Sequence, residues 1–216
     1  MSVAILATVF LGFAPSFYLR GSAHPPLPPI LIVHGVVFSA WILLFVVQIA
    51  LVALHRTPVH RRLGVAGGVL AAAMILLGTL VALRSGSGAD RGRLAFLAVP
   101  LFDMPVFAIL VGAGLACRRV PQAHKRFMLL ANVGLLSPAI GRMPWPEALR
   151  GTFSDFVAPD LFLVPLLLWD LVTLRRPHPA TILGAVLLIV SQIVRKALSE
   201  TDAWLRFATW ACSLVT

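Results

Sequence analysis

The chain has 216 residues, 59% of them hydrophobic and 12% charged, with a mean hydropathy of +0.94 and a formal net charge of +10 at pH 7. A soluble domain carries about twice that charged fraction, so a water-soluble globular class is excluded. The basic excess sits mostly in short loops between apolar runs, the pattern of a membrane protein facing anionic lipid; with no DNA- or RNA-binding motif and no basic domain outside the apolar runs, nucleic acid is excluded as a partner.

Apolar runs of bilayer-spanning length recur along the chain. Residues 3–19 form the first helix. They lack a basic n-region and end in PSFYLR, so they read as a membrane helix and not as a cleaved signal. Phe17 and Tyr18 mark its interface. The proline-rich GSAHPPLPP is a stiff, extended connector. Helix 2 covers 30–54. The corner HRTP leads into helix 3, 58–83, with Thr57 and Pro58 as cap and first-turn residues. Gly64 and Gly68 form a small-xxx-small pair suited to close helix contact. After the polar loop RSGSGADRGR comes helix 4, 94–116. RRVP opens helix 5, 121–141, with Pro121 in its first turn. Trp145 is an interface anchor in the loop that follows. Helix 6 covers 159–174 and helix 7 covers 180–198. The tail 201–216 is too short to span; its cap signal and Trp204, Phe207 and Trp210 predict an interfacial helix.

The predicted fold is therefore all-α: one polytopic bundle of seven transmembrane helices over residues 1–216, plus a C-terminal interfacial helix. The loops after helices 2, 4 and 6 hold more basic residues in fewer positions than those after helices 1, 3 and 5. The positive-inside rule then places the N-terminus in the cytoplasm and the C-terminus outside, although counting Arg195, Lys196 and Arg206 in the C-terminal region evens the basic residues at nine on each side. Cys117 and Cys212 have no CxxC spacing, and this topology puts them on opposite faces, which argues against an intrachain disulfide.

Three constellations carry the chemistry. The first is a histidine set on the cytoplasmic side. His60 opens helix 3, His124 opens helix 5 and His178 opens helix 7, each with a proline close by and His55 near them. A helix N-terminus disfavours imidazolium, and neutral imidazole is a common metal ligand. Three such groups could hold one metal ion, or two could clasp a haem with Arg62 and Arg126 near its propionates. The plainer reading is headgroup-level histidines that bond locally, since no motif such as HExxH is present.

The second lies in the outer half: His34, Asp103, Arg142 and Asp160. Asp103 sits about two turns into helix 4 between Pro100 and Pro105, and a carboxylate there must be paired, hydrated or protonated. Such broken, acid-bearing segments line pockets or ion paths. The alternative is a structural pair of Asp103 with Arg142 or His34. Asp170, near the inner end of helix 6, is expected to pair with Arg175 or Arg176.

The third is a stripe. His34, Trp41, Gln48 and His55 recur every seven residues, so they share one helix face that drifts by about 20° per step. Trp41 and Gln48 could line a cavity between the two clusters, or could fill core and bond a neighbouring helix.

GFAPSFYLR, HGVVFSAWILLFVVQ, HRRLG, HKRFMLLA and HPAT together resemble a family of uncharacterised bacterial inner-membrane proteins over nearly the whole chain. The resemblance implies seven helices and a bacterial inner membrane, and it supplies no catalytic residues. A looser likeness to cytochrome b561-type haem proteins implies histidine-held haem, but those proteins use deep histidines on facing helices, whereas here only His34 is clearly inside. Three functions follow as expectations: a protein binding a cofactor or small ligand in an intramembrane pocket, with haem or a metal at the histidine face; a carrier using His34, Asp103 and Arg142; or an accessory subunit that docks on a membrane-protein partner. No P-loop, GxSxG or GxGxxG motif is present.

Overall fold

The structure is a computed structural model, and it describes residues 1–21, 25–151 and 153–215. Ser22–His24 of the proline-rich connector, Thr152 and the terminal Thr216 lie outside the described residues. The described chain contains α1 (Ser2–Phe13), α2 (Pro29–Ala53), α3 (Thr57–Ser85), α4 (Arg91–Phe96), α5 (Ala98–Ala116), α6 (Pro121–Gly134), α7 (Ser137–Ile140), α8 (Ala158–Asp160), α9 (Leu163–Leu174), α10 (Pro179–Ser199) and α11 (Asp202–Ser213). No strand occurs among the described residues, so the fold is all-α.

Five helical segments are long and apolar enough to cross a membrane: Pro29–Ala53, Thr57–Ser85, Arg91–Ala116, Phe153–Leu174 and Pro179–Ser199. Ser2–Tyr18 is a shorter apolar helix, and α6 with α7 covers the stretch read from sequence as helix 5. Helix starts coincide with proline in the first turn of α2, α3, α6, α7, α8 and α10, where a missing N–H costs nothing. Within helices proline interrupts. Pro138 separates α6 from α7, and Pro105 inside α5 cannot donate to the carbonyl four residues back. Phe13 leads into a π-helical turn over Ala14–Tyr18, with Pro15 in it.

α2 and α3 form an antiparallel hairpin, α5 pairs with α6, and α3 packs on α5. α10 lies against both α5 and α6, while α1 packs on α2 and α7. The centre of the bundle is α6 and α7, where Leu130, Ala131, Asn132, Leu136 and Ala139 are fully buried. Yet α6 is also the segment carrying His124, Lys125, Arg126 and Asn132. The outside is the reverse. Val65, Val69 and Leu76 of α3, Trp169 and Val172 of α9, and Leu183 and Ile193 of α10 are all exposed. An apolar exterior around a partly polar centre suits lipid as solvent, because polar groups then find partners only inside.

Close backbone approaches fix the packing. A Cβ on Gly12 of α1 would collide with the Ala139 carbonyl of α7, and one on Gly184 of α10 would collide with Leu130 of α6. α11 folds back on the end of the bundle. Thr201 caps it by accepting a hydrogen bond from the Trp204 backbone N–H, and the Trp204 indole N–H donates to the Leu94 carbonyl at 3.0 Å. Trp204, Ala208 and Cys212 then form a second small core with Ala82, Leu97 and Ala98. Cys117 and Cys212 are both free thiols.

Candidate functional site

The chemistry-bearing residues fall into an inner end, where α2 meets α3, α5 meets α6 and α9 meets α10, and an outer end opposite it. At the inner end Arg126 and Asp170 form an ion pair with 1% and 0% side-chain exposure. Arg126 Nε donates to Asp170 Oδ1 at 2.9 Å, and Nη2 bonds the same oxygen. Its Nη1 donates to the backbone carbonyl and the side-chain oxygen of Gln122, both at 2.7 Å. Asp170 Oδ2 accepts from the His178 backbone N–H at 2.9 Å and from Thr181 Oγ1 at 2.6 Å. One carboxylate thus ties α6, α9 and the start of α10 together.

The expected partners of Asp170, Arg175 and Arg176, are both exposed. Arg175 sits past the helix end in the left-handed region, with φ 60°. A fully buried carboxylate requires a partner that is equally buried, and Arg126 is that partner. His178 caps α10: its Nδ1 accepts from the Ala180 N–H at 3.0 Å. Burial, then the Arg126 charge, holds the His178 imidazole below its ordinary pKa.

His60 and His124 do come together, with ring centroids 6.2 Å apart and rings edge to face. Each occupies the fourth position of its helix, after a proline in the first turn. His124 Nδ1 lies 2.7 Å from the Gly114 carbonyl of α5. A carbonyl only accepts, so Nδ1 carries the proton and the neutral ring keeps its lone pair on Nε2. His60 Nδ1 is buried with no hydrogen-bond partner, as is the side-chain oxygen of Gln48. Gln48 Nε2 would lie 3.6 Å from a Cβ on Gly64, one turn beyond His60. Along α3, His60 thus meets His124 of α6 while Gly64, one turn on, meets Gln48 of α2, and two buried polar atoms there have no hydrogen-bond partner among the described residues. His178 belongs to the Asp170 network, and His55 is an exposed residue at φ 58° in the α2–α3 corner. Among the described residues no group of three or more His, Cys, Asp or Glu is arranged to hold a metal ion.

The outer-end residues divide among different hydrogen-bond and ion-pair partners. Asp103 pairs with Arg195 of α10, at 8% and 4% side-chain exposure, and the Arg195 guanidinium lies 5.1 Å from the Phe156 ring centroid. Asp160 Oδ1 accepts from Gln192 Nε2 at 2.8 Å, so Gln192 and Arg195, three apart on α10, hold both outer carboxylates. Arg142 is exposed, donates to the Pro138 carbonyl at 2.6 Å and covers the Phe13 ring at 4.7 Å. His34 stacks on Phe38 at 4.1 Å, and its Nδ1 is buried without a partner. Trp41 is buried in the core, and its indole N–H donates to Asn132 Oδ1 at 3.0 Å. Asn132 in turn donates to the Met128 carbonyl at 2.8 Å.

Sequence reasoning missed Arg195, Asn132 and Gln192 as partners. The signal was present: each is a polar side chain inside a helix whose neighbours are apolar, and such a group must find a partner. A crevice of about 220 Å³ between α1 and α2 is lined by Leu6, Val9, Phe10, Tyr18, Ser39, Ile42 and Leu43. Its two hydroxyls, Tyr18 and Ser39, are bonded to each other at 2.6 Å, so it presents no free polar group. No known protein family, no curated protein and no solved structure matches this chain.

Proposed function

We propose that this chain is a multi-pass protein of a bacterial inner membrane that binds a small ligand or cofactor in the inner-end seam of Gln48, His60 and His124. The loop charges support a cytoplasmic N-terminus. One observation carries the reading. The inner ion pair has its hydrogen bonds made, whereas the adjoining seam holds two buried polar atoms with no partner among the described residues. An unmet buried polar group costs roughly 1–3 kcal/mol, and sites that bear such a cost are commonly those a ligand completes.

The test is native mass spectrometry of the protein purified from its own membranes, combined with thermal unfolding. Wild type is expected to carry an excess mass that Gln48→Leu and His60→Phe lose. Ligand-free Gln48→Leu is expected to unfold at a higher temperature than ligand-free wild type, because the orphaned oxygen is gone. A wild type without bound mass, and variants with unchanged stability, would sink the proposal.

A second reading is supported by α10. The start of this helix bonds Asp170 through Thr181, and its far end pairs Arg195 with Asp103. Ion-pair networks at both ends of one helix suit a carrier that opens them alternately. In proteoliposomes, Asp103→Asn would then abolish solute or proton flux; unchanged flux for every solute tried removes this reading.

A further inference from the structure

The outer end of α10 holds a charge imbalance. Gln192 and Arg195 stand three residues apart on one helix face, and each meets a carboxylate: Asp160 of α8 and Asp103 of α5. Two carboxylates thus face one guanidinium. We propose that Asp103, Arg195 and Asp160 form a binding site for one proton, carried on the Asp160 carboxyl at neutral pH and exchanged at the outer end of the bundle. The proposal rests on the carrier reading of α10, for which it names the ion, and it is independent of the inner seam.

The charge count comes first. With both acids ionised the trio carries one net negative charge. Asp103 and Arg195 are closed off from water, at 8% and 4% side-chain exposure. Asp160 is half-buried, which leaves it a way to solvent. Among the described residues its carboxylate accepts only from the neutral amide of Gln192, at 2.8 Å. A carboxylate in an apolar segment needs a cation, water or a proton, and the one guanidinium is already taken by Asp103. Like charges in one site also oppose each other's ionisation. A proton taken from water onto an Asp160 oxygen brings the trio to zero charge.

The position of Arg195 comes second. Its guanidinium lies 5.1 Å from the ring centroid of Phe156, four residues before Asp160. It therefore sits beside the segment that carries the second acid while it bonds the first. Its Nε is buried with no acceptor among the described residues. A donor left unmet there has an acceptor to gain when Asp160 ionises. Loss of the proton then sets two carboxylates competing for one guanidinium, and the hold of α10 on α5 loosens.

The other charges nearby are engaged elsewhere. α8 is packed by the π-helical turn Phe153–Val157, by α7 and by α6. Asp155 of the turn accepts from Ser154 Oγ at 3.0 Å, and Arg142 beyond α7 donates to the Pro138 carbonyl. Lys125 and Arg126 of α6 belong to the inner end. Lys196 is exposed and, one residue on from Arg195, is turned about 100° from the face that meets the two acids. Arg195 is the charge that acts on Asp160. The identity of the ion follows from the ligand count. A hard metal cation takes about six oxygens, whereas a proton needs one, and a fixed guanidinium stands beside the site.

The experiment is infrared difference spectroscopy of the full-length protein in lipid nanodiscs, titrated from neutral to alkaline pH. At about pH 7 wild type is expected to show the carbonyl stretch of one protonated carboxylic acid per chain, lost reversibly as pH rises. Asp160→Asn, which keeps an amide partner for Gln192, should lack the band. Asp90→Asn, at the exposed cap of α4, should retain it. Asp103→Asn should lose it at the same pH, because Arg195 then passes to Asp160. Where that variant does not fold, Asp103→Asn/Arg195→Gln leaves no unpaired buried charge and should keep the band. Absence of the band in wild type, its survival in Asp160→Asn, its survival unchanged in Asp103→Asn or its loss from the double variant overturns the proposal. If the band behaves as expected but Asp103→Asn leaves every flux unchanged in proteoliposomes, the proton site stands and the carrier reading falls. If flux responds and wild type shows no band, the carrier reading stands and the proton site falls.

Discussion

Asp103 and Asp170 are each closed off from solvent, yet they differ in how completely they are satisfied. Asp170 accepts three hydrogen bonds besides the closest arginine contact, whereas the Nε of Arg195, which holds Asp103, is buried with no acceptor among the described residues. Breaking either pair leaves a buried charge. Asp170→Ala is therefore expected to destabilise the fold by about 3–5 kcal/mol, and the double variant Arg126→Met/Asp170→Leu to recover most of that, as read by unfolding in detergent. His178 gives a pH signature. Its folded pKa lies below the ordinary value of 6.5, so the unfolded chain binds the proton more readily. Its contribution is present above about pH 6.5 and is lost as pH falls from there toward the folded value. His178→Asn, which can still cap α10, should flatten that limb of the curve of unfolding midpoint against pH. The positions of these ionisable groups were legible, because a charge in an apolar run stands out. Their partners were not. Asp103 and Arg195 are 92 residues apart, and no periodicity in either helix encodes which neighbour it meets.

At the scale of elements, proline marked most helix starts, and the predicted boundaries differ from the observed ones by only a residue or two for α2, α3 and α10. Continuity was harder to read. The stretch expected as one helix over 121–141 breaks between Gly134 and Ser137, and helix 6 starts in a π-helical turn at Phe153–Val157, ahead of its predicted start. Such irregular turns leave no hydropathy signal, since the residues stay apolar. The α1–α7 crossing gives a direct test. Gly12→Val would place side-chain atoms inside the Ala139 carbonyl, so α1 should detach and α1–α7 cysteine cross-linking should be lost while α2–α10 remain folded. The end of α9 gives the opposite test. Arg175 holds a left-handed conformation that costs a side-chain-bearing residue roughly 1–2 kcal/mol, so Arg175→Gly should raise stability by up to about that amount in a thermal unfolding assay.

For the molecule as a whole, composition alone pointed to an all-helical fold with apolar faces, but not to the order of helices around the centre. That order decides the chemistry. The stripe His34, Trp41, Gln48 does lie on one helix, but its members meet different neighbours: Phe38 beside His34, Asn132 opposite Trp41 and Gly64 opposite Gln48. The inner seam exists because α3 and α6 enter from one end with a histidine at the same helical position. The reading of membrane topology has its own check. Single cysteines introduced at Arg61 and Arg175 should be shielded from an impermeant thiol reagent in intact cells, while cysteines at Gly88 and Glu147 should be labelled. Uniform labelling of all four would reject the orientation.

The central helix is also the least apolar of the bundle, and this bears on how the protein is made. Arg126 meets Asp170 44 residues later in the chain, and Asp103 waits 92 residues for Arg195. At about 5–20 residues per second of synthesis, the first wait lasts about 2–9 s and the second about 5–18 s. During those seconds a bare arginine and a bare aspartate occupy a nascent chain with no counter-charge to meet. An unpaired Arg126 disfavours entry of α6 into lipid before Asp170 is made, because a buried charge there needs its partner. A chain halted before α10 would leave Asp103 without Arg195, its ion-pair partner.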